Sequence, residues 1–187
     1  MSEVAAEHES AGAARVARQY ASLPRAWRSI DRAVVRATEG GLFVIGALFT
    51  IMITLEVVSR YVFSFSIFFV NAAARLLLVW FFLLGAGIAL RHGTHVGFEL
   101  ILGAMAPRRR RLTVLFGQLL ALVFFIEMVW GGLYSLGPAL NQTEAGLDIS
   151  LAWAFAAIPI GFALLIYHML LLMVVEIRQQ QEGEPRR

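Results

Sequence analysis

Along the chain, polar sequence gives way to apolar sequence four times, and the apolar blocks fall at about 40–63, 71–90, 112–134 and 149–175. At about 1.5 Å of rise per helical residue, each block can cross a hydrocarbon core of about 30 Å. The connection between the first two is too short to hold a domain, so those two spans must be antiparallel neighbours. Ahead of the first block, Leu23, Trp27, Ile30, Val34 and Ala37 recur at helical spacing, while Arg25, Arg28, Arg32 and Arg36 fall on the other face. Ser22 suits a cap and Pro24 a first turn. This pattern predicts an amphipathic helix over 22–39 in the headgroup layer, Trp27 inward and Arg28, Arg32 and Arg36 outward. The alternative is the same helix packed on a partner's cytoplasmic surface. The stretch 95–105 is too short to span and predicts a short interfacial helix that stops at Pro107. Residues 1–21 carry no apolar run near Met1 and are expected to be a flexible polar tail, not a cleavable signal; residues 176–187 form a second tail. The expected fold is therefore an all-α membrane protein. It has four transmembrane helices in a 40–175 membrane domain, an N-terminal amphipathic interfacial helix and a short cytoplasmic interfacial helix between spans two and three.

Composition sharpens this picture. The 187 residues are 59% apolar and 16% charged, with a mean hydropathy of +0.71, whereas a soluble chain is about half apolar and a quarter charged. Because the excess sits in the four blocks, a soluble globular enzyme is excluded. Cysteine is absent, which removes disulfides, thiolate metal ligands and cysteine nucleophiles. All 16 basic residues are arginine. They flank the apolar blocks, so membrane topology explains the basic pI better than nucleic acid does. Fourteen arginines precede span one, lie between spans two and three, or follow span four, against only Arg60 and Arg75 on the other side. That imbalance places both termini in the cytoplasm. Arg108, Arg109, Arg110 and Arg111 read as a topology anchor that also meets anionic lipid.

Ionisable groups inside a membrane need a partner or a task. Glu56 and Arg60 share a face of span one at i, i+4. With Arg75 near the start of span two and Glu127 one turn before Trp130 and Tyr134 on span three, they fall in the outer third of the bilayer. Two acids and two bases at one depth suggest an ion-paired cluster that fixes helix register within the chain or against a partner. An ion path is the weaker reading. Thr50 and Thr54 are the best midplane polar groups on the first two spans, and the paired Gly/Pro-broken helices of transporter substrate sites are missing. His168 lies deeper than His92 or His95, which makes a facing pair of haem ligands awkward and favours a packing histidine. No catalytic residue, cofactor or metal site is expected. Ala152, Ala156, Ala157 and Gly161 on span four, and Gly85 and Gly87 on span two, supply close-approach surfaces, and Pro159 predicts a kink. The aromatic surface of Phe63, Phe65, Phe68, Phe69, Trp80, Phe81 and Phe82 exceeds what four helices can bury, so the surplus faces lipid or a larger partner.

The order of these features carries a resemblance. It runs Glu56-Val-Val-Ser-Arg60-Tyr61, Arg75-Leu-Leu-Leu-Val-Trp80, Leu84-Gly85-Ala86 and Ala89-Leu90-Arg91-His92-Gly93-Thr94-His95-Val96, with Glu99 following. Ile158-Pro159-Ile160-Gly161 and His168 complete it in the last span. Over roughly residues 30–178 the chain resembles the small, DctQ-like permease subunit of TRAP (tripartite ATP-independent periplasmic) transporters. The resemblance implies a non-enzymatic subunit of the bacterial inner membrane. It would brace a large multi-span permease that carries the solute and sodium ions, and help dock a periplasmic solute-binding protein that delivers an organic acid or similar solute. On that footing the Trp80 region packs on the large subunit, Glu56, Arg60 and Arg75 set its register near the periplasmic face, and His95 and Glu99 anchor the cytoplasmic helix. One departure concerns Arg75. Where the family often has a tryptophan and one or two glutamates just before this arginine, the chain has Phe69, Asn71 and Ala72, which leaves Glu56 or Glu127 to pair with it. The rival classes are a haem-binding or structural anchor of a respiratory complex, a small proton-coupled exporter using Glu56, and an adaptor for another membrane complex. The outer position of Glu56 and the long 91–111 loop argue against the exporter.

Overall fold

The computed structural model describes residues 25–91 and 107–182. These form α1 (Arg25–Val62), α2 (Phe68–Arg91), α3 (Pro107–Leu140), the one-turn α4 (Ala152–Phe155) and α5 (Ala157–Glu182). Four segments, Trp27–Val62, Phe68–Arg91, Leu112–Leu140 and Ala152–Val174, are long and apolar enough to cross a membrane. The all-α, four-span architecture read from the sequence is the one observed.

Helix limits differ in two places. The boundary expected at 39/40 falls inside α1, which is continuous from its amphipathic first turns through Gly40 and Gly41 to Val62. A glycine costs a helix about 1 kcal/mol, but a backbone entering lipid has no hydrogen-bond partner except its own helix, so the pair does not interrupt it. Likewise, Arg108, Arg109, Arg110 and Arg111 belong to the first turns of α3, with Pro107 at the position where a missing N–H costs nothing. The helix expected over 95–105, with His95 and Glu99, lies outside the described residues, as do the 1–21 tail, the expected cap at Ser22 and Pro24, and residues 183–187.

The helices do not close into a bundle. Helix α1 packs on α2, α2 on α5, and α5 on α3, leaving α1 and α3 at opposite edges of an open row. Two antiparallel hairpins, α1/α2 and α3/α5, thus stand side by side, and α2 and α5 run parallel in the middle. Burial follows this order. The span on α5 is the most buried of the four and that on α3 the least. Core residues such as Val70, Ala72 and Ala74 on α2, and Leu165, Met169 and Leu171 on α5, come mainly from the two central helices.

Lipid tails are as apolar as leucine, so helices here associate through close packing and polar contacts, without a hydrophobic drive. Glycines set the close approaches. A Cβ at Gly161 would stand 2.6 Å from that of Leu83, and one at Gly87 would stand 2.9 Å from the Leu164 side chain. On the outer pairs, Gly46 faces the Phe81 ring and Gly132 faces Pro159, while Phe162 is held between Phe124 and Phe125 at ring separations of 5.9 and 5.8 Å. Pro159 marks the interruption between α4 and α5. Proline has no N–H for the Phe155 carbonyl and its ring crowds that carbonyl, so the first helical turn ends at Ala156, which itself stays in the right-handed helical region.

Two alanine substitutions separate packing from helix propensity. Gly161→Ala is expected to destabilise the detergent-solubilised chain by about 1–3 kcal/mol, the cost of overpacking a tight contact. Gly117→Ala, whose added methyl meets nothing within 4 Å, is expected to be neutral or mildly stabilising. Thermal unfolding of the two variants checks the difference.

Candidate functional site

The polar residues gather at the two ends of the row. At the end bearing the loops, Glu56 is buried at 4% exposure in the last turns of α1. Its Oε1 accepts from Arg60 Nη2 at 2.8 Å and from Ser66 Oγ at 2.8 Å, with Asn71 Nδ2 further off at 3.4 Å. Its Oε2 accepts from the Ile67 N–H at 2.9 Å. The carboxylate therefore sits at the N-terminus of α2, where free N–H groups and the helix dipole favour an anion. The linker it fastens is wound tightly. The N–H groups of Phe63 and Phe65 both donate to the Ser59 carbonyl at 3.2 Å, and Ser64 adopts a positive φ of 51°.

Arg75 pairs with Glu144, in the loop between α3 and α4. Neither Glu56 nor Glu127, the acids expected from the sequence, takes that place. Glu56 is committed to the linker, and Glu127 is exposed on α3 at the far edge of the row. The four charges expected in one cluster are therefore divided: Glu56 with Arg60, Arg75 with Glu144, and Glu127 apart. The Glu144 loop is itself folded back, with its N–H donating to the Ile149 carbonyl at 2.9 Å and the Leu151 N–H to the Gln142 carbonyl at 2.8 Å. Gly146, at φ +100°, lies so close to the Phe68 ring that a Cβ would meet it at 2.9 Å. Only glycine combines that φ with that approach.

Trp80 is half-buried on α2, and its indole N–H donates to the Trp153 carbonyl at 3.0 Å, tying α4 to α2. Between this contact and the Arg75–Glu144 pair lies a shallow open cavity of about 380 Å³, lined by Arg75, Leu76, Val79, Glu144, Ala145 and Ala154.

At the other end, Arg91 closes α2 by pairing with Asp31 near the start of α1, and both are buried. Tyr167 on α5 lies within electrostatic reach of the two, and its ring meets that of His168 at 5.2 Å. His168 is fully buried, and its ring packs where a Cβ on Gly87 would stand 3.6 Å away. The surface candidates Trp27, Arg32, Arg36 and Arg109 are exposed and Arg28 is partly so. Among the described residues, no three His, Asp or Glu side chains converge as a metal site requires.

Asp31 and Glu144 are the residues that reading the sequence missed. Asp31 carried a signal, since it lies four residues after Trp27 and three before Val34, on the otherwise apolar face of its helix. Glu144 carried less, being one of two acids in a polar loop at the same end of the spans as Arg75.

Comparison with known proteins agrees with this arrangement. The family model described as the DctQ component of tripartite ATP-independent periplasmic transporters matches residues 49–179. The chain is 30% identical over 131 residues to the sialic acid TRAP transporter permease protein SiaT of Haemophilus influenzae, a match covering 70% of this chain and 21% of that protein. It is 27% identical over 150 residues to the ectoine TRAP transporter small permease protein TeaB of Halomonas elongata, covering 76% of this chain and 75% of that one. The chain thus spans about a fifth of the first relative and three quarters of the second.

The Asp31–Arg91 pair supports a double-mutant test. Asp31→Leu leaves a buried guanidinium without its acid and is expected to cost about 3–5 kcal/mol, whereas removing both charges with Asp31→Leu and Arg91→Met is expected to recover much of that loss. Thermal midpoints of the single and double variants in detergent read the coupling; strictly additive losses would contradict a direct pair.

Proposed function

The chain belongs to the DctQ component of the tripartite ATP-independent periplasmic transporters, and from that membership we propose that it is the membrane-embedded brace of a large multi-span permease. In this reading the large subunit carries the solute and the sodium ions that drive uptake. A periplasmic solute-binding protein delivers the solute, an organic acid or similar small molecule, and this chain helps it dock. The chain is multi-pass in the inner membrane, with both termini cytoplasmic in keeping with its fourteen arginines on that side.

The observation that carries the proposal is the open row. A transport path must be enclosed by protein, and helices packed side by side in the order α1, α2, α5, α3, with α1 and α3 not packed on each other, form an open layer. At the two ends Glu56 with Arg60, Arg75 with Glu144, and Asp31 with Arg91 are engaged within the row itself. Glu56 in particular holds the α1–α2 linker through its two carboxylate oxygens, which supports a structural role over a proton-carrying one. The relatives support leaving solute choice to the partners, because two similar chains bear the names of different solutes, sialic acid and ectoine. The share of SiaT outside the match is roughly four-fifths, which supports a companion permease much larger than this chain. Trp80, Arg60 and Arg75 remain candidates for contact with that companion through the surfaces their internal bonds leave open. Trp27 and the arginines from Arg28 to Arg36 and Arg108 to Arg111 would meet lipid headgroups.

Purification of the tagged chain from its native membranes in mild detergent tests this reading. Recovery of one large many-span permease in near-equal amount, with solute uptake lost when the chain is deleted and restored when it is returned, is expected. Recovery of the chain with respiratory subunits and a haem Soret band, or uptake that does not need it, would overturn the proposal.

A further inference from the structure

The row has two free edges, and they differ chemically. On α1, the line facing away from α2 runs Val44, Leu48, Ile51, Leu55, Val58 and Val62, in steps of four and three, and every member is exposed. The nearby hydroxyls of Thr50 and Thr54 donate back to the carbonyls of Gly46 and Thr50 at 2.8 and 2.7 Å. Lipid can satisfy such an edge completely.

The line facing away from α5 on α3 has the same steps but another content: Phe116, Leu120, Val123, Glu127, Trp130 and Tyr134. All are exposed, Trp130 at 73% and Tyr134 at 81%. These positions form one continuous line, or seam, along the exposed face of α3, and what sets it apart from the α1 line is its content, not its spacing. A carboxylate stands within this seam. Glu127 lies fifteen residues beyond Leu112, about 22 Å along the helix and thus still inside a hydrocarbon core of about 30 Å. It points away from every other described helix, and no described side chain pairs with it. An acid held against acyl chains is costly, and such residues in membrane proteins face protein or water.

We infer that the α3 seam centred on Glu127 is the docking surface for a transmembrane helix of the large permease subunit, one that sets a basic or hydrogen-bond-donating side chain opposite Glu127. This rests on the brace reading above and adds which edge of the row meets the partner. A second copy of this chain is the poorer occupant, because two-fold pairing along the seam brings acid against acid at one depth. The aliphatic line on α1, which holds no unpaired acid, is left to lipid.

The natural absence of cysteine permits single spin labels at Phe116→Cys and Val123→Cys on one edge and Leu48→Cys and Leu55→Cys on the other. Their collision with oxygen is measured in lipid, for the chain alone and for the chain purified with the large permease. The α3 labels are expected to be oxygen-accessible in the chain alone and to lose most of that accessibility in the complex, with the α1 labels accessible in both. Glu127→Leu is expected to reduce the large permease recovered by about five- to thirtyfold, the scale of one interhelical polar contact. The isolated variant should keep its thermal midpoint, and Glu127→Gln should lose less. Accessible α3 labels in the assembled complex, protection of the α1 edge instead, or α3 labels protected in the chain alone by pairing of copies would each overturn the inference while leaving the brace reading intact. If the unsubstituted chain brings down no large permease, the brace reading fails first and the inference with it.

Discussion

The parallel contact between α2 and α5 holds the molecule together. Each hairpin is joined by a local connection, but nothing in either hairpin requires the other. Their union rests on two positions without side chains, Gly87 and Gly161, which let the Leu164 and Leu83 side chains seat against the opposing helix. Lipid provides no hydrophobic gain for this step, so its strength comes from dispersion over closely matched surfaces. The register so fixed carries along the whole length of the pair. With Leu83 opposite Gly161, Trp80 reaches the Trp153 carbonyl, Arg75 reaches Glu144, and Gly146 rests on Phe68. A slip of one turn would break the apolar seam and the polar rim together.

That coupling bears on what the chain can do. Its rims are pinned by ion pairs, Asp31 with Arg91 at one end and Glu56 with Arg60 at the other, while its broad faces stay apolar. A row fastened in this way, with its outer helices not packed on each other, is an open layer. Such an object suits the bracing role proposed above.

Much of this was legible in the sequence, in proportion to how local each feature is. The four spans followed from block length, the Glu56–Arg60 pair from i, i+4 spacing, and the close approach at Gly87 and Gly161 from small residues in apolar helices. What did not follow was the side-to-side order of the helices. The spans are apolar nearly all round, so periodicity does not say which face meets which neighbour. The spans alone offer Arg75 only Glu56 or Glu127 as a partner, but one is held in the linker and the other lies across the row, and Glu144 of the loop takes the place. The amphipathic pattern after Ser22 gives way to an apolar block at Gly40, which reads as a boundary between two elements. In a low-dielectric setting Gly40 and Gly41 do not end a helix, and Asp31, the acid on its apolar face, is the sign that this stretch packs against the end of α2.

The open row itself is the claim on which the functional account stands, and the distance between its two edges tests it most directly. Paired spin labels at Val44→Cys on α1 and Val123→Cys on α3, in the chain reconstituted in lipid, report that distance by electron–electron dipolar coupling. Three helix-to-helix steps of about 8–10 Å each place the two axes about 25–30 Å apart, and a distance in or above that range is expected. A distance corresponding to one step, about 10 Å between axes, would mean that α1 and α3 close on each other and enclose a core. The flat brace would then be the wrong description of this chain.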